Sequence, residues 1–89
     1  MSNTTLLFSI YDRKQAVYMP PHSMRTKGAA IRMFMDLINT PNDQSLIYKY
    51  PEDFDLYYLG QFFDLTGAFA PCQPDLIAQG ALVKDPGVD

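Results

Sequence analysis

The sequence predicts an α+β fold, in which an antiparallel sheet of two β-hairpins carries one main helix on one face. Two observations predict it. Apolar residues recur with a period of two in two separated stretches, and a single stretch between them has the 3.6-residue period of a helix. Strands that bracket one helix are typical of a sheet covered by that helix.

The first stretch predicts a β-hairpin. Leu6, Phe8 and Ile10 recur at every second position, which indicates a strand at about residues 5–11 with one apolar face. Four polar residues form the turn, and the partner strand is expected at about residues 16–20. This strand should end at the two prolines that follow, because proline cannot donate a hydrogen bond to a sheet.

The helix is expected at about residues 27–39, with Thr26 as its N-cap. Its apolar side consists of Ala30, Ile31, Phe34, Leu37 and Ile38. The polar stripe around Arg32 is narrow and is flanked by Met33 and Met35. A helix so apolar around its circumference is usually packed on a sheet and covered further by a subunit or a ligand.

The second hairpin is expected from strands at about residues 53–63 and 68–71, joined by a short turn. Pro71 and Pro74 are expected to end regular structure after the second strand. Residues 77–83 are compatible with one helical turn.

The length of 89 residues limits the chain to a single domain, residues 1–89, because there is no room for a second hydrophobic core. With 47% hydrophobic residues the chain is too apolar to be disordered, apart from an expected flexible tail at residues 84–89. A core of this size contributes only about 3–5 kcal/mol, so a homodimer is expected. Cys72 is the single cysteine, which fits a reducing, cytoplasmic compartment. No apolar run is long enough to span a membrane, so no membrane partner is expected.

The residues give no sign of a catalytic, metal or cofactor site. His22 is the only histidine, so neither a zinc site nor a nucleophile with its base is indicated. The carboxylates of Glu52, Asp53 and Asp55 leave one alternative open, a metal-dependent nuclease, although helix entry and solvation explain them more simply. We therefore expect a protein that is not an enzyme and uses no cofactor.

The charge is divided unevenly along the chain. The net charge is −3, but residues 1–35 hold five basic side chains and one acidic one, whereas residues 36–89 hold two basic and nine acidic ones. Such asymmetry is typical of chains that contact nucleic acid or a membrane, or that dock on a second copy of themselves.

The basic part of the chain also contains tyrosines, and binding of single-stranded nucleic acid uses both kinds of residue. Cations neutralise phosphates, and aromatic rings stack on bases. The residues expected to bind nucleic acid are Arg13, Lys14, Arg25, Lys27, Arg32, Tyr11 and Tyr18. The simpler interpretation is that these are solvated charges and packed tyrosines, with Arg32 paired to Asp36.

A second candidate surface is apolar. Alternation places Tyr58 and Phe62 on one face of the long strand and Tyr57 and Phe63 on the other, and one helix cannot cover both faces. The residues expected to face a second copy or another protein are Met33, Met35, Tyr57, Leu59 and Phe63.

Several blocks of the sequence resemble the small nonstructural protein of gokushoviruses, which are tailless single-stranded DNA phages of the microvirus family. The blocks are Ser9-Ile10-Tyr11-Asp12-Arg13-Lys14, Tyr18-Met19-x-Pro21, Ile31-Arg32-x-Phe34-x-Asp36-x-Ile38-Asn39, Tyr50-Pro51-Glu52-Asp53-Phe54-x-Leu56 and Leu59-Gly60-x-Phe62-x-Asp64-x-Thr66-Gly67. The resemblance covers about residues 6–77. Family members often have histidine where this chain has Tyr50, so no role for a histidine is expected there.

The resemblance implies a nonenzymatic protein of the host bacterial cytoplasm that is absent from the mature virion. By likeness to the DNA-packaging switch protein of other microviruses, it implies a role in viral single-stranded DNA synthesis and packaging. The expected partners are viral DNA, single-stranded or in replicative form, and the phage replication initiator or procapsid. The alternative is an adaptor that docks on the initiator or the procapsid without touching DNA.

Overall fold

The sheet in the computed structural model is antiparallel, and the structure describes residues 4–86. Within these residues the strand order is β2-β1-β4-β5, and β3 pairs with the same edge of β1 as β2. The strands are β1 (Thr4–Asp12), β2 (Val17–Tyr18), β3 (His22–Met24), β4 (Phe54–Phe63) and β5 (Phe69–Gln79), and the helices are α1 (Lys27–Asn39), α2 (Leu46–Lys49) and α3 (Gly80–Val83), with a 3₁₀ turn at Pro51–Asp53.

The core lies between α1 and one face of the sheet, and the predicted α+β fold is confirmed. Alternate residues of β1 face residues one helical turn apart on α1, so that Phe8 and Ile10 pack with Phe34 and Ile38. The buried core consists of Phe8, Ile10, Ala30, Phe34, Ile38, Ile47, Phe54 and Leu56. Leu37, which the helical period placed on the apolar side, is instead 39% exposed.

The main helix has the predicted bounds and the predicted cap. Thr26 precedes the first turn in an extended conformation, and its hydroxyl accepts a hydrogen bond from the backbone N–H of Ala29 at 3.0 Å. The cap fixes where α1 begins, directly after the chain leaves β3.

The first hairpin differs from the prediction in its return strand. The strand expected at residues 16–20 is reduced to β2, and a further strand, β3, follows the two prolines. The prolines interrupt the strand because neither can donate to β1. Pairing resumes further along β1, where Met24 faces Leu6.

β5 is longer than predicted. The expectation that Pro71 and Pro74 end regular structure is wrong, because the strand continues to Gln79. β5 lies at the edge of the sheet and its pairing with β4 is irregular in the segment that holds the prolines. Edges and irregular positions are where a strand tolerates the missing N–H. The helical turn expected at residues 77–83 is therefore confined to α3.

A β-bulge at Leu59 interrupts the pairing of β1 with β4. Phe8 faces Tyr58 but Leu7 faces Gly60, so the register skips Leu59. Because of this extra residue, each side chain of β4 after Leu59 lies on the face opposite to the one that strict alternation predicts.

The bulge overturns part of the predicted alternation. Phe63 faces Thr4 and lies on the core side of the sheet, whereas Phe62 faces Thr5 on the other side. The expectation that Phe62 shares a face with Tyr58 is wrong, because a strict two-residue period does not allow for an inserted residue.

The C-terminal segment is hydrogen-bonded to the end of α1. Asn39 donates from Nδ2 to the carbonyl oxygen of Val83 at 3.0 Å, and its Oδ1 accepts from the backbone N–H of Asp85 at 2.7 Å. The Lys84 ammonium donates to a carbonyl oxygen in the last turn of α1 at 3.3 Å. The predicted flexible tail, residues 84–89, thus begins with two anchored residues, and residues 87–89 lie outside the described part of the chain.

Replacing Gly60 with alanine is expected to destabilise the fold. Gly60 has a φ of 139°, and an added Cβ would overlap the carbonyl oxygen of Ala70. We expect the free energy of unfolding, measured by urea denaturation, to fall by more than about 2 kcal/mol.

The matched control is Gly28→Ala in α1. An added Cβ at Gly28 meets only the Thr26 hydroxyl, at 3.9 Å, and alanine is the better helix former by about 0.5–1 kcal/mol. If the Gly60→Ala protein were as stable as the Gly28→Ala protein, the backbone conformation and the close packing described for Gly60 would be wrong.

Candidate nucleic-acid interface

Three tyrosines pack together on the sheet face opposite α1, and we name Tyr11, Tyr18 and Tyr57 the tyrosine cluster. Ser9 and Tyr11 alternate with the core residue Phe8 and so point away from α1. Tyr11 faces Tyr18 on β2, and Tyr57 on β4 faces Ser9 on β1. The ring centroids of Tyr11 and Tyr18 are 4.6 Å apart, and those of Tyr57 lie 5.5 Å from Tyr18 and 6.0 Å from Tyr11.

A buried serine holds the return strand of the hairpin against β1. Ser9 is fully buried, and its hydroxyl donates to the carbonyl oxygen of Met19. Met19 donates its backbone N–H to the carbonyl oxygen of Ile10 at 2.8 Å. These two bonds follow directly after Tyr18 and keep it beside Tyr11, although β2 itself has only 2 residues.

Tyr18 is the most exposed member of the tyrosine cluster. Its exposed fraction is 43%, whereas Tyr11 and Tyr57 are half-buried. Desolvation raises the pKa of the Tyr18 hydroxyl above its ordinary value, and charge on Tyr57 and Tyr11 would raise it further. The Tyr18 ring is therefore uncharged near neutral pH and presents an accessible aromatic face.

An ion pair borders the tyrosine cluster. Asp55 faces Tyr11 across the β1–β4 pairing, and its Oδ2 lies 3.3 Å from Nε of Arg13. The Asp55 side chain is 5% exposed, and its Oδ1 is buried without a hydrogen-bond partner among the described residues. Arg13 is 49% exposed, so part of its guanidinium remains open to solvent beside the cluster.

The basic residues predicted to bind nucleic acid fall into two groups. The turn after β1 holds Arg13 and Lys14, next to the tyrosine cluster. The second group lies near β3, which pairs with the opposite end of β1: Arg25 lies between β3 and α1, and Lys27 and Arg32 lie in the first two turns of α1. The two places are separated by about 15–20 Å along β1, at about 3.3 Å per residue. Lys27 is also turned to the α1 side of the sheet, where its ammonium lies 4.9 Å from an aromatic ring centre of β4.

A family model described as Phage ORF5 protein matches residues 5–83. The chain is also 38% identical over 72 residues to Protein ORF5 of Chlamydia phage 1, an alignment that covers 79% of this chain and 75% of that protein. This chain belongs to the phage ORF5 protein family. Chlamydia phage 1 is a gokushovirus, so the resemblance to the nonstructural protein of these phages is confirmed. No solved structure matches the chain.

In this ORF5-family chain, the residues predicted to face a partner do not form one surface. Met33 and Met35 lie on α1, whereas Tyr57 belongs to the tyrosine cluster on the opposite face of the sheet. Leu59 is the bulged residue, and Phe63 lies on the core side. The homodimer expected through these residues stays a prediction.

The ORF5-family chain has no group of three or more His, Cys, Asp or Glu residues within residues 4–86 that could hold a metal ion. Asp55, one of the three candidate ligands, is paired with Arg13 instead. His22 and Cys72 are both exposed, on β3 and β5. The helices found in residues 4–86 are all too short or too polar to cross a membrane.

Sequence reasoning missed two residues of this site in the ORF5-family chain. The sequence places Tyr57 on the predicted partner surface and groups Asp55 with the neighbouring carboxylates. The alternation along β4 does place both on one face. Their contacts with Tyr11 and Arg13 depend on the register between β1 and β4, which no local pattern specifies.

Replacing Arg13 with methionine is expected to destabilise this ORF5-family chain, because it leaves the buried Asp55 carboxylate without its cation. We expect urea denaturation to show a loss of about 1–2 kcal/mol, limited by the solvent exposure of Arg13. A second substitution, Asp55→Asn, should recover part of the loss by removing the buried charge.

The control is Lys14→Met, which removes the same charge from the next residue. Lys14 is exposed and we expect a change within about 0.5 kcal/mol. Equal losses of stability for Arg13→Met and Lys14→Met would show that the ion pair between Arg13 and Asp55 contributes nothing to stability.

Proposed function

We propose that this ORF5-family chain is a nonenzymatic single-stranded-DNA-binding protein that acts in viral DNA synthesis and packaging. The observation that carries the proposal is the tyrosine cluster on the open face of the sheet, with the half-exposed Arg13 at its border. Sheet faces that present aromatic rings are a recurrent platform for single-stranded nucleic acid.

The chemistry of the surface suits unpaired bases. Tyr18 offers an uncharged, accessible ring, and stacking of one base on such a ring contributes about 1–3 kcal/mol. Arg13 at the border of the cluster and Lys14, the next residue of the same turn, supply cations for the phosphates of the same strand. Duplex DNA keeps its bases stacked inside, so we expect single strands to bind in preference to the replicative form.

The overall charge limits the affinity. A net charge of −3 repels DNA at long range, and only one of the two basic groups lies beside the tyrosine cluster. Binding should therefore be modest, should depend on stacking more than on counterion release, and should weaken as salt is raised.

Substitution of Tyr18 tests the stacking surface. Fluorescence anisotropy of a labelled oligothymidine at low salt should show binding to the unchanged chain and a loss of about five- to a hundredfold for Tyr18→Ala, the range that one stacked base contributes. Tyr18→Phe keeps the ring and should retain most of the affinity.

The control is Tyr50→Ala, which removes an equally exposed tyrosine outside the cluster, since the exposed fractions are 43% for Tyr18 and 48% for Tyr50. Equal losses for both alanine variants, or no binding by the unchanged chain at low salt, would exclude the proposal and favour the adaptor that docks on the replication initiator or the procapsid without DNA.

Charge reversal tests the role of the turn. Lys14→Glu should weaken oligothymidine binding several-fold because Lys14 follows Arg13 in the turn that borders the cluster. Lys49→Glu makes the same change in charge on α2 and should have a smaller effect. If both variants weaken binding equally in an anisotropy titration, only the net charge of the protein matters and the turn has no special role.

A further inference from the structure

The end of the molecule near the β1 turn carries an apolar groove that borders the tyrosine cluster, because Tyr18 lines one of its two depressions. Two adjoining depressions of about 590 and 450 Å³ share four lining residues, and together they run between the first hairpin and the segment that leads into β4. The shared residues are Asp12, Gln15, Leu46 and Phe54. We name these two depressions the Leu46 groove.

Several large apolar side chains that line the Leu46 groove are exposed to solvent. Leu46 is 51% exposed, Val17 49% and Tyr50 48%, and these side chains come from α2, β2 and the residue before the 3₁₀ turn. Large apolar side chains gathered from separate elements into one concave surface are typical of a docking site rather than of scattered surface residues.

Three acidic residues and one basic residue line the groove, so its rim carries a net negative charge; they are Asp12, Glu52, Asp53 and Lys14. Glu52 and Asp53 line the groove, and neither side chain makes a hydrogen bond or an ion pair with another described residue. Asp12 differs, because its Oδ1 accepts the backbone N–H groups of Lys14 at 2.9 Å and Gln15 at 3.3 Å and so holds the turn in place.

The structural work of the Pro51–Asp53 segment is done by its backbone. Gly80 packs so closely on the carbonyl oxygens of Pro51 and Phe54 that a Cβ would overlap both, and the Asp53 carbonyl oxygen accepts the Arg13 N–H at 2.9 Å. The fold thus uses the backbone of this segment, while the side chains of Glu52 and Asp53 line the groove.

We propose that the Leu46 groove docks a segment of another protein that combines apolar and basic side chains. Apolar side chains of the segment fill the two depressions, and its lysine or arginine residues face Glu52 and Asp53. The groove adjoins the proposed DNA surface, because Lys14 and Tyr18 belong to the lining of its depressions. The docking proposal rests on Leu46, Glu52 and Asp53, which the DNA proposal does not use, so either proposal can fail without the other.

Three short fluorescent peptides probe the groove. The first alternates leucine and lysine in a helical pattern, the second replaces its lysines by glutamates, and the third replaces its leucines by serines. We expect anisotropy titrations to show binding of the leucine–lysine peptide that is at least about tenfold tighter than that of either other peptide.

Two pairs of variants locate the binding. Leu46→Ser and Glu52→Lys should each weaken binding of the leucine–lysine peptide about tenfold. Their controls are Leu82→Ser, which changes a leucine on α3 that is 77% exposed, and Asp75→Lys, which makes the same charge change on β5. Both controls should stay within about twofold of the unchanged chain, and circular dichroism should show that all four variants are folded.

Each contrary result overturns the docking proposal. Failure of the leucine–lysine peptide to bind excludes the groove as a site for such segments. Equally tight binding of the lysine–serine peptide, or equal effects of Glu52→Lys and Asp75→Lys, would show attraction to the net charge alone. Leu46→Ser leaves the charge unchanged, so unchanged oligothymidine binding by this variant would confirm that the docking residues lie outside the DNA surface, and loss of that binding would show that the groove is part of the DNA surface instead.

Discussion

β1 pairs with β4 along one edge and with β2 and β3 along the other. Each of its side chains therefore points either toward α1 or toward the opposite face of the sheet. The three central residues, Phe8, Ser9 and Ile10, are buried as a result: Phe8 and Ile10 pack against α1, and Ser9 lies on the opposite face, where its hydroxyl binds the Met19 carbonyl oxygen. The core and the candidate site are therefore two sides of the same strand. A slip of β1 by one residue would exchange them, so burial of the core also fixes where the tyrosines lie.

The bulge at Leu59 changes which residues of β4 face the core partway along the strand. Before the bulge, β4 contributes Leu56 to the core and Asp55 and Tyr57 to the opposite face. After it, Phe63 lies on the core side and Phe62 on the other. An uninterrupted β4 would reverse these two phenylalanines. Gly60 follows the inserted residue and lies in close contact with β5, beside the irregular part of the β4–β5 pairing.

The parts of the fold that could be predicted are those set by local patterns. The bounds of α1 follow from Thr26 and a period of 3.6, and β1 follows from a period of two. The extent of β5 could not be predicted, because its prolines are forbidden in a central strand and tolerated only at an edge, and edge position is a property of the whole sheet. The candidate site can be predicted in part: the sequence indicates Tyr11, Tyr18 and Arg13, but their contacts with Tyr57 and Asp55 depend on the register between β1 and β4, which no local pattern specifies.

Pro71 and Pro74 have a consequence for association of this chain with itself. The outer edge of β5 pairs with no strand among residues 4–86, and most of this strand is exposed, which is the usual starting point for strand-to-strand aggregation. A proline offers an incoming strand no N–H, and its ring obstructs close approach. The two residues that make β5 hard to recognise in the sequence therefore also protect its edge from uncontrolled polymerisation.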